Sequence, residues 1–162
     1  MIDLSPAQAA DRIAKLLVTP ESRTLDFKRI SDKHKKIIET VCAFANSEGG
    51  LLALGVGDAK DLRAGDKPQS RLWGVEENPE GFDDLRRLLL QRFTPALPRL
   101  HWLRMPCTLR DGKPGHVVLL RVEKSNQVHS VVGNGTWTRM DASNRELSAA
   151  EIADLTYQRG VK

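Results

Sequence analysis

Residues 43–58 read AFANSEGGLLALGVGD. The hydrophobic period changes at the two glycines. Before them, Ile37, Val41, Phe44 and Ala45 recur at helical spacing and predict an amphipathic helix. Gly49-Gly50 ends that helix, because glycine accepts a left-handed backbone without a Cβ penalty. After them, LLALGVG is a near-continuous apolar run, the pattern of a strand buried on both faces. Such a strand needs cover on each side of its sheet.

Working outward, TLDFKRI (residues 24–30) alternates Leu25 and Phe27 with Asp26 and Lys28, which predicts a strand with one apolar and one wet face. Glu21 stands five positions before Asp26. Asp32 is placed to cap the following helix. Upstream, Ser5-Pro6 opens a helix with Ala9, Ile13, Leu16 and Leu17 on its apolar face, and Thr19-Pro20 ends it.

Downstream, residues 58–70 read as a polar surface loop and RLWGV as a short strand. Asn78-Pro79 opens a third helix lined by Phe82, Leu85, Leu89 and Phe93. LHWLRMPCTL and HVVLLRVEKS form a hairpin through DGKPG, and VHSVV with TWTRM a second one around GNG. Ser148 and Glu151 make the capping box of a last helix, with Ile152 and Leu155 as its apolar face. The order predicts an α+β fold: a single domain over 1–162, with a mixed β-sheet and packed helices.

Hydrophobic residues make up 40% of the 162 and charged residues 28%, ordinary for a globular domain. No apolar run reaches membrane-spanning length, and the N-terminus lacks the basic and apolar regions of a secretory signal. The expected location is cytoplasmic, with no membrane partner. Cys42 and Cys107 belong to no CxxC or Cys/His cluster, which argues against a structural zinc, and Cys42 reads as a buried thiol. The net charge of +4 permits binding to a phosphate backbone without demanding it.

Taken together, Glu21, Asp26-Phe27-Lys28, residues 43–50 (AFANSEGG) and Leu54-Gly55-Val56-Gly57-Asp58 resemble the Schlafen AlbA-like domain family. So do Val122 to Ser125, His129, Arg139 and Leu147 to Ile152. The likeness covers nearly the whole chain. Three features depart from it: Asp26 where the family usually has Glu, a longer loop after Gly57, and Val128 in place of a proline. No winged-helix, ATPase or helicase pattern follows, so the chain reads as the domain alone.

The resemblance implies nucleic-acid binding, RNA before DNA, and a metal-dependent endoribonuclease acting on structured RNA such as tRNA. By this likeness Glu21, Asp26 and Asp58 hold Mg²⁺ or Mn²⁺. Carboxylates and water suit such hard cations, which polarise a phosphate and generate hydroxide. Lys28, on the face of Asp26, then neutralises developing charge. Because animal Schlafens pair two such lobes, a homodimer is expected.

The alternatives are a regulatory module that binds DNA or RNA without cutting, and a nucleotide (ATP)-binding domain. The latter lacks a GxxxxGK[ST] loop. Candidate nucleic-acid contacts are Lys33, Lys35 and Lys36 at a helix start, His129, Arg139 and Arg145. Asn46 reads as a helix cap or a bond to a neighbouring loop, and Trp137 as a core residue.

Overall fold

The structure, a computed structural model, describes residues 1–160. Its centre is the unit anticipated around the glycine pair: β2 (Leu25–Lys28), α2 (His34–Asn46) and β3 (Gly50–Leu54). β2 and β3 run parallel, and α2 is the crossover that a parallel pair requires. β3 also pairs antiparallel with β6 (Pro114–Val122), which pairs antiparallel with β5 (His101–Thr108). The two-residue β1 (Ile2–Asp3) closes the far edge, giving the order β1-β5-β6-β3-β2.

Both faces of this sheet are covered, which is why LLAL carries no polar alternation. Leu52, Leu54, Val118 and Leu120 pack under α2 and under α3 (Pro79–Gln91), against Ile37, Val41, Phe44, Leu85 and Leu89. Leu25, Phe27, Ala53, Leu119 and Met105 pack on the other face against Ala9, Ile13 and Leu16 of α1 (Pro6–Leu17). The glycine pair has two separate reasons. Gly49 has φ +79° and donates its N–H to Phe44 O at 2.8 Å. At Gly50 a Cβ would stand 2.7 Å from the Phe44 ring, so the strand enters the core only as glycine.

Local signals set the helix starts. Ser5 and Gln8 form a capping box on α1, and Asn78 accepts from Gly81 N at α3. Ser148 and Glu151 do the same at α4 (Ala149–Gly160), whose Ile152 and Leu155 are half-buried. The Cys42 thiol is buried as read, and burial pushes it up to about 11.

Four expectations are corrected. Asp32 does not cap α2: it accepts from Arg29 N–H and closes the preceding turn, and Lys33 stands at the cap with no side-chain bond. RLWGV forms no strand; Leu72 makes only an isolated bridge to Val56. Phe93 lies beyond α3, in β4 (Phe93–Thr94). The GNG turn closes only a single antiparallel bridge, Val131 to Gly135, and does not pair VHSVV with TWTRM. β7 (Ser130–Val131) pairs with β4, and β8 (Trp137–Met140) pairs with β9 (Ser143–Glu146). The β8–β9 hairpin packs over α2 and places its side chains above the end of β2.

Candidate functional site

Asp26 leaves β2 on the same side as Leu52, its partner in register, and therefore points beneath α2 rather than into water. It is 2% exposed. Its Oδ2 lies 3.2 Å from Arg139 Nη1, 3.3 Å from Lys28 Nζ and 3.4 Å from Thr40 Oγ1. Its Oδ1 accepts from Phe27 N–H at 2.8 Å. Arg139 is itself buried. It donates to the carbonyls of Ser22 and Leu25 and to Asn144 Oδ1, and Asn144 in turn donates to Thr40. The polar face of TLDFKRI is thus a buried ion-pair network, roofed by the β8–β9 hairpin.

Glu21 approaches the same backbone amide: its Oε2 accepts from Phe27 N–H at 3.1 Å. Burial, then the hydrogen bond with Asp26, push the Glu21 carboxyl up to about 7, against the pull of Phe27 N–H and Lys28. At Asp26 burial also works upward. It is outweighed by the bond from Glu21 and by the charges of Lys28 and Arg139, which hold that carboxyl below the usual range. The proton that the pair holds in acid therefore sits on Glu21 and leaves as pH rises through about 7.

A pH dependence follows. Because the folded state binds this proton more tightly than the unfolded chain, the Glu21 contribution is fully present below about pH 4.5 and is lost as pH rises through about 7. Urea unfolding at stepped pH is expected to show stability falling across that window. Glu21→Gln, which mimics the protonated acid, is expected to flatten the slope and to be the more stable protein at pH 8.

Glu21, Asp26, Lys28 and Asp58 all line one cleft of about 330 Å³, together with Arg139 and Asn144. The acids share it without meeting as a metal centre. Among the described residues, no three His, Cys, Asp or Glu side chains form a group able to hold an ion. Asp58 turns its Oδ1 onto Lys60 N–H at 2.9 Å, Glu21 Oε2 accepts from Phe27 N–H, and Asp26 already has two cations. The donor atoms are hard enough for Mg²⁺ or Mn²⁺, but in this arrangement they do not fit one.

The remaining candidates divide. Lys33, Lys35 and Lys36 are exposed at the start of α2, with Lys36 reaching Glu39 at 3.8 Å. His129 is not a nucleic-acid contact. It is fully buried, Nδ1 bonds Pro95 O at 2.8 Å, and Nε2 bonds Ser125 Oγ at 2.6 Å. Arg139 is likewise no phosphate ligand, since its guanidinium is consumed by Asp26 and three other acceptor groups. Arg145 pairs with Glu151 at 2.8 Å and braces the start of α4.

Asn46 does bond a neighbouring segment, as one of its two readings had it, accepting from His129 N–H and donating to the His129 and Trp137 carbonyls. Thr40 and Asn144, which complete the Asp26 network, carried no signal in the sequence. Arg71 and Trp73, in the misread RLWGV segment, were missed as well.

No curated protein matches this chain. Solved structures that share the fold include the following two. The DIP2311 protein from Corynebacterium diphtheriae is 18% identical with a TM-score of 0.57; the match covers 95% of this chain but only 32% of that one. The second is the N-terminal domain of a protein from Nitrosomonas europaea described as related to the ATP-dependent DNA helicase RecG. It is 24% identical with a TM-score of 0.50, covering 87% of this chain and 93% of that one. The family model described as "Schlafen, AlbA_2" matches residues 21–148, from Glu21 ahead of β2 to the cap of α4, and the chain belongs to that family.

Proposed function

We propose that this protein binds nucleic acid through its phosphate backbone, RNA in preference to DNA, at the surface running from the β2 cleft to the start of α2. The observation that carries the reading is the start of α2. No side chain caps it, its first turn holds no acid, and Lys33, Lys35 and Lys36 surround it. Lysines there oppose the helix dipole, so the arrangement is favourable when an external anion meets the free N–H groups. Lys28 and Asp32 continue the surface into the cleft. The family and the RecG-related neighbour support a nucleic acid as that anion. The preference for RNA rests on the likeness to Schlafen ribonucleases.

Metal-dependent cleavage is a second reading, favoured by the three acids lining one cleft. It requires Lys28 and Arg139 to yield Asp26 to Mg²⁺ or Mn²⁺. A pair of copies facing each other is proposed with it, and the mass in solution tests that.

Labelled tRNA and single-stranded DNA, each with Mn²⁺, Mg²⁺ or EDTA, separate these readings. Salt-sensitive binding without cutting supports the module. Metal-dependent cutting that disappears in Asp58→Asn supports the enzyme; Asp58 is the better probe because Asp26 is structural. Replacing Lys33, Lys35 and Lys36 together by Gln is expected to weaken binding roughly tenfold or more. It should also flatten the salt dependence, by about one unit for each phosphate no longer neutralised. Absence of any salt-sensitive binding would sink the nucleic-acid reading.

A further inference from the structure

A second cleft, of about 460 Å³, adjoins the first and shares Arg29, Asp58 and Asp61 with it. Its wall includes Arg71, which is 3% exposed. Arg71 Nε donates to Gly57 O at 2.9 Å, and Nη1 to Leu17 O at 3.2 Å. Its guanidinium lies 4.6 Å over the Phe27 ring. Nη2 is buried with no hydrogen-bond partner among the described residues. Asp58 and Glu21 act on this cation through space, but neither bonds it. A buried guanidinium fixed by two carbonyls, with one donor left over, is an expensive arrangement unless a water or an anion completes it.

The surroundings match an anion. Arg63 and Arg110 line the same cleft and are exposed. Two of its three acids are engaged by backbone amides: Asp58 by Lys60 N–H, and Asp66 by Arg63 N–H at 2.8 Å. Trp73 stands beside Arg71. Its indole lies between two guanidinium groups, Arg29 at 3.5 Å and Arg110 at 3.8 Å from the ring centre. Arg29 is tied to Glu77, whereas Arg110 is the exposed member of the stack.

We infer that this cleft is a phosphate-ester subsite. Arg71 Nη2 is its buried donor, and Arg63 and Arg110 are its mobile ones. The planar guanidinium fork suits phosphate better than lysine does. When Arg110 turns to the phosphate it uncovers one face of Trp73, on which a base can stack. The site rests on the nucleic-acid reading for its ligand, a strand phosphate. A free phosphate ester has the same chemistry and is separated by the test.

The measurement is an NMR titration of the Trp73 indole N–H and Arg71 side-chain signals. The probes are inorganic phosphate and single-stranded RNA hexamers with a 5′-phosphate or a 5′-hydroxyl. Both hexamers are expected to shift these signals, and phosphate more weakly. Arg110→Gln and Arg71→Lys should each weaken strand binding roughly tenfold. Arg71→Lys keeps the charge and loses the fork, and its melting curve reports whether it folds. Arg110 is exposed, so its variant tests the site whatever Arg71 does for stability. Strand binding that leaves both signals unmoved, with Arg110→Gln binding as wild type, overturns the subsite and spares the nucleic-acid reading. Phosphate that shifts the signals while neither hexamer binds overturns the strand as ligand but keeps the guanidinium site, and the nucleic-acid reading then stands or falls on the tRNA assay.

Discussion

Arg139→Ala is expected to cost about 3–5 kcal/mol of folding stability at pH 7, because it leaves a buried charge without its partner. The side chain is 1% exposed and faces Asp26, whose own side chain is 3% exposed. Its other donors meet Ser22 O, Leu25 O and Asn144 Oδ1, so the truncation also removes a bond from each of two carbonyls, of which Leu25 O keeps Ser22 N–H. Lys28 remains at 3.3 Å but is 21% exposed and softens the loss only in part.

Two further results follow. The deficit should narrow at low pH, where Asp26 without Arg139 takes up a proton. The double variant Asp26→Asn/Arg139→Met should lose less than Arg139→Ala alone, since no unpaired charge is left behind. Urea denaturation of the three proteins at pH 4 and pH 7 measures both. Equal stability of Arg139→Ala and wild type at pH 7 would refute the ion-pair account of β2.

Asn46→Ala is the second large effect, about 3 kcal/mol, because it strips the partner from His129 N–H and takes a bond from two carbonyls, leaving His129 O only the weak Cys42 thiol. The Asn46 carboxamide is 2% exposed and holds both polar groups of the His129 backbone, as well as the Trp137 carbonyl at 2.9 Å. It fastens the end of α2 to the chain leading into β7 and to β8. Asn46→Asp should not rescue. It keeps the acceptor for His129 N–H but sets a carboxylate against two carbonyl oxygens. Hydrogen exchange at the His129 amide gives the local readout and should speed up in both variants before the global core does. An unchanged exchange rate would assign Asn46 only a capping role.

These two residues show where reading the chain in order stops. The starts of α1, α3 and α4 were legible because a cap is a bond between residues three apart, written in one short stretch. The β5–β6 hairpin and the β2–α2–β3 crossover were legible for a related reason. Period and turn residues lie side by side in the chain. The GNG segment misled because a short strand chooses its partner by what packs around it. β7 found β4 and β8 found β9.

The site followed the same division. Glu21, Asp26, Lys28 and Asp58, grouped by the family likeness, line one cleft. His129 read as an isolated imidazole, a surface or packing residue that could meet phosphate, because the carbonyl of Pro95 and the hydroxyl of Ser125 that saturate it reach it only through the fold.

The order of residues alone settled the α+β class, the placing of α2 between two strands and the glycine pair that ends it. Each rests on backbone freedom and hydrophobic period, properties of neighbouring residues. What Asp26 is came from tertiary packing instead. Arg139 lies 113 positions from it in the chain, and it is the packing of β8–β9 over α2 that brings them to 3.2 Å. Charge is a long-range interaction whose strength is set by burial, and burial belongs to no single stretch of sequence.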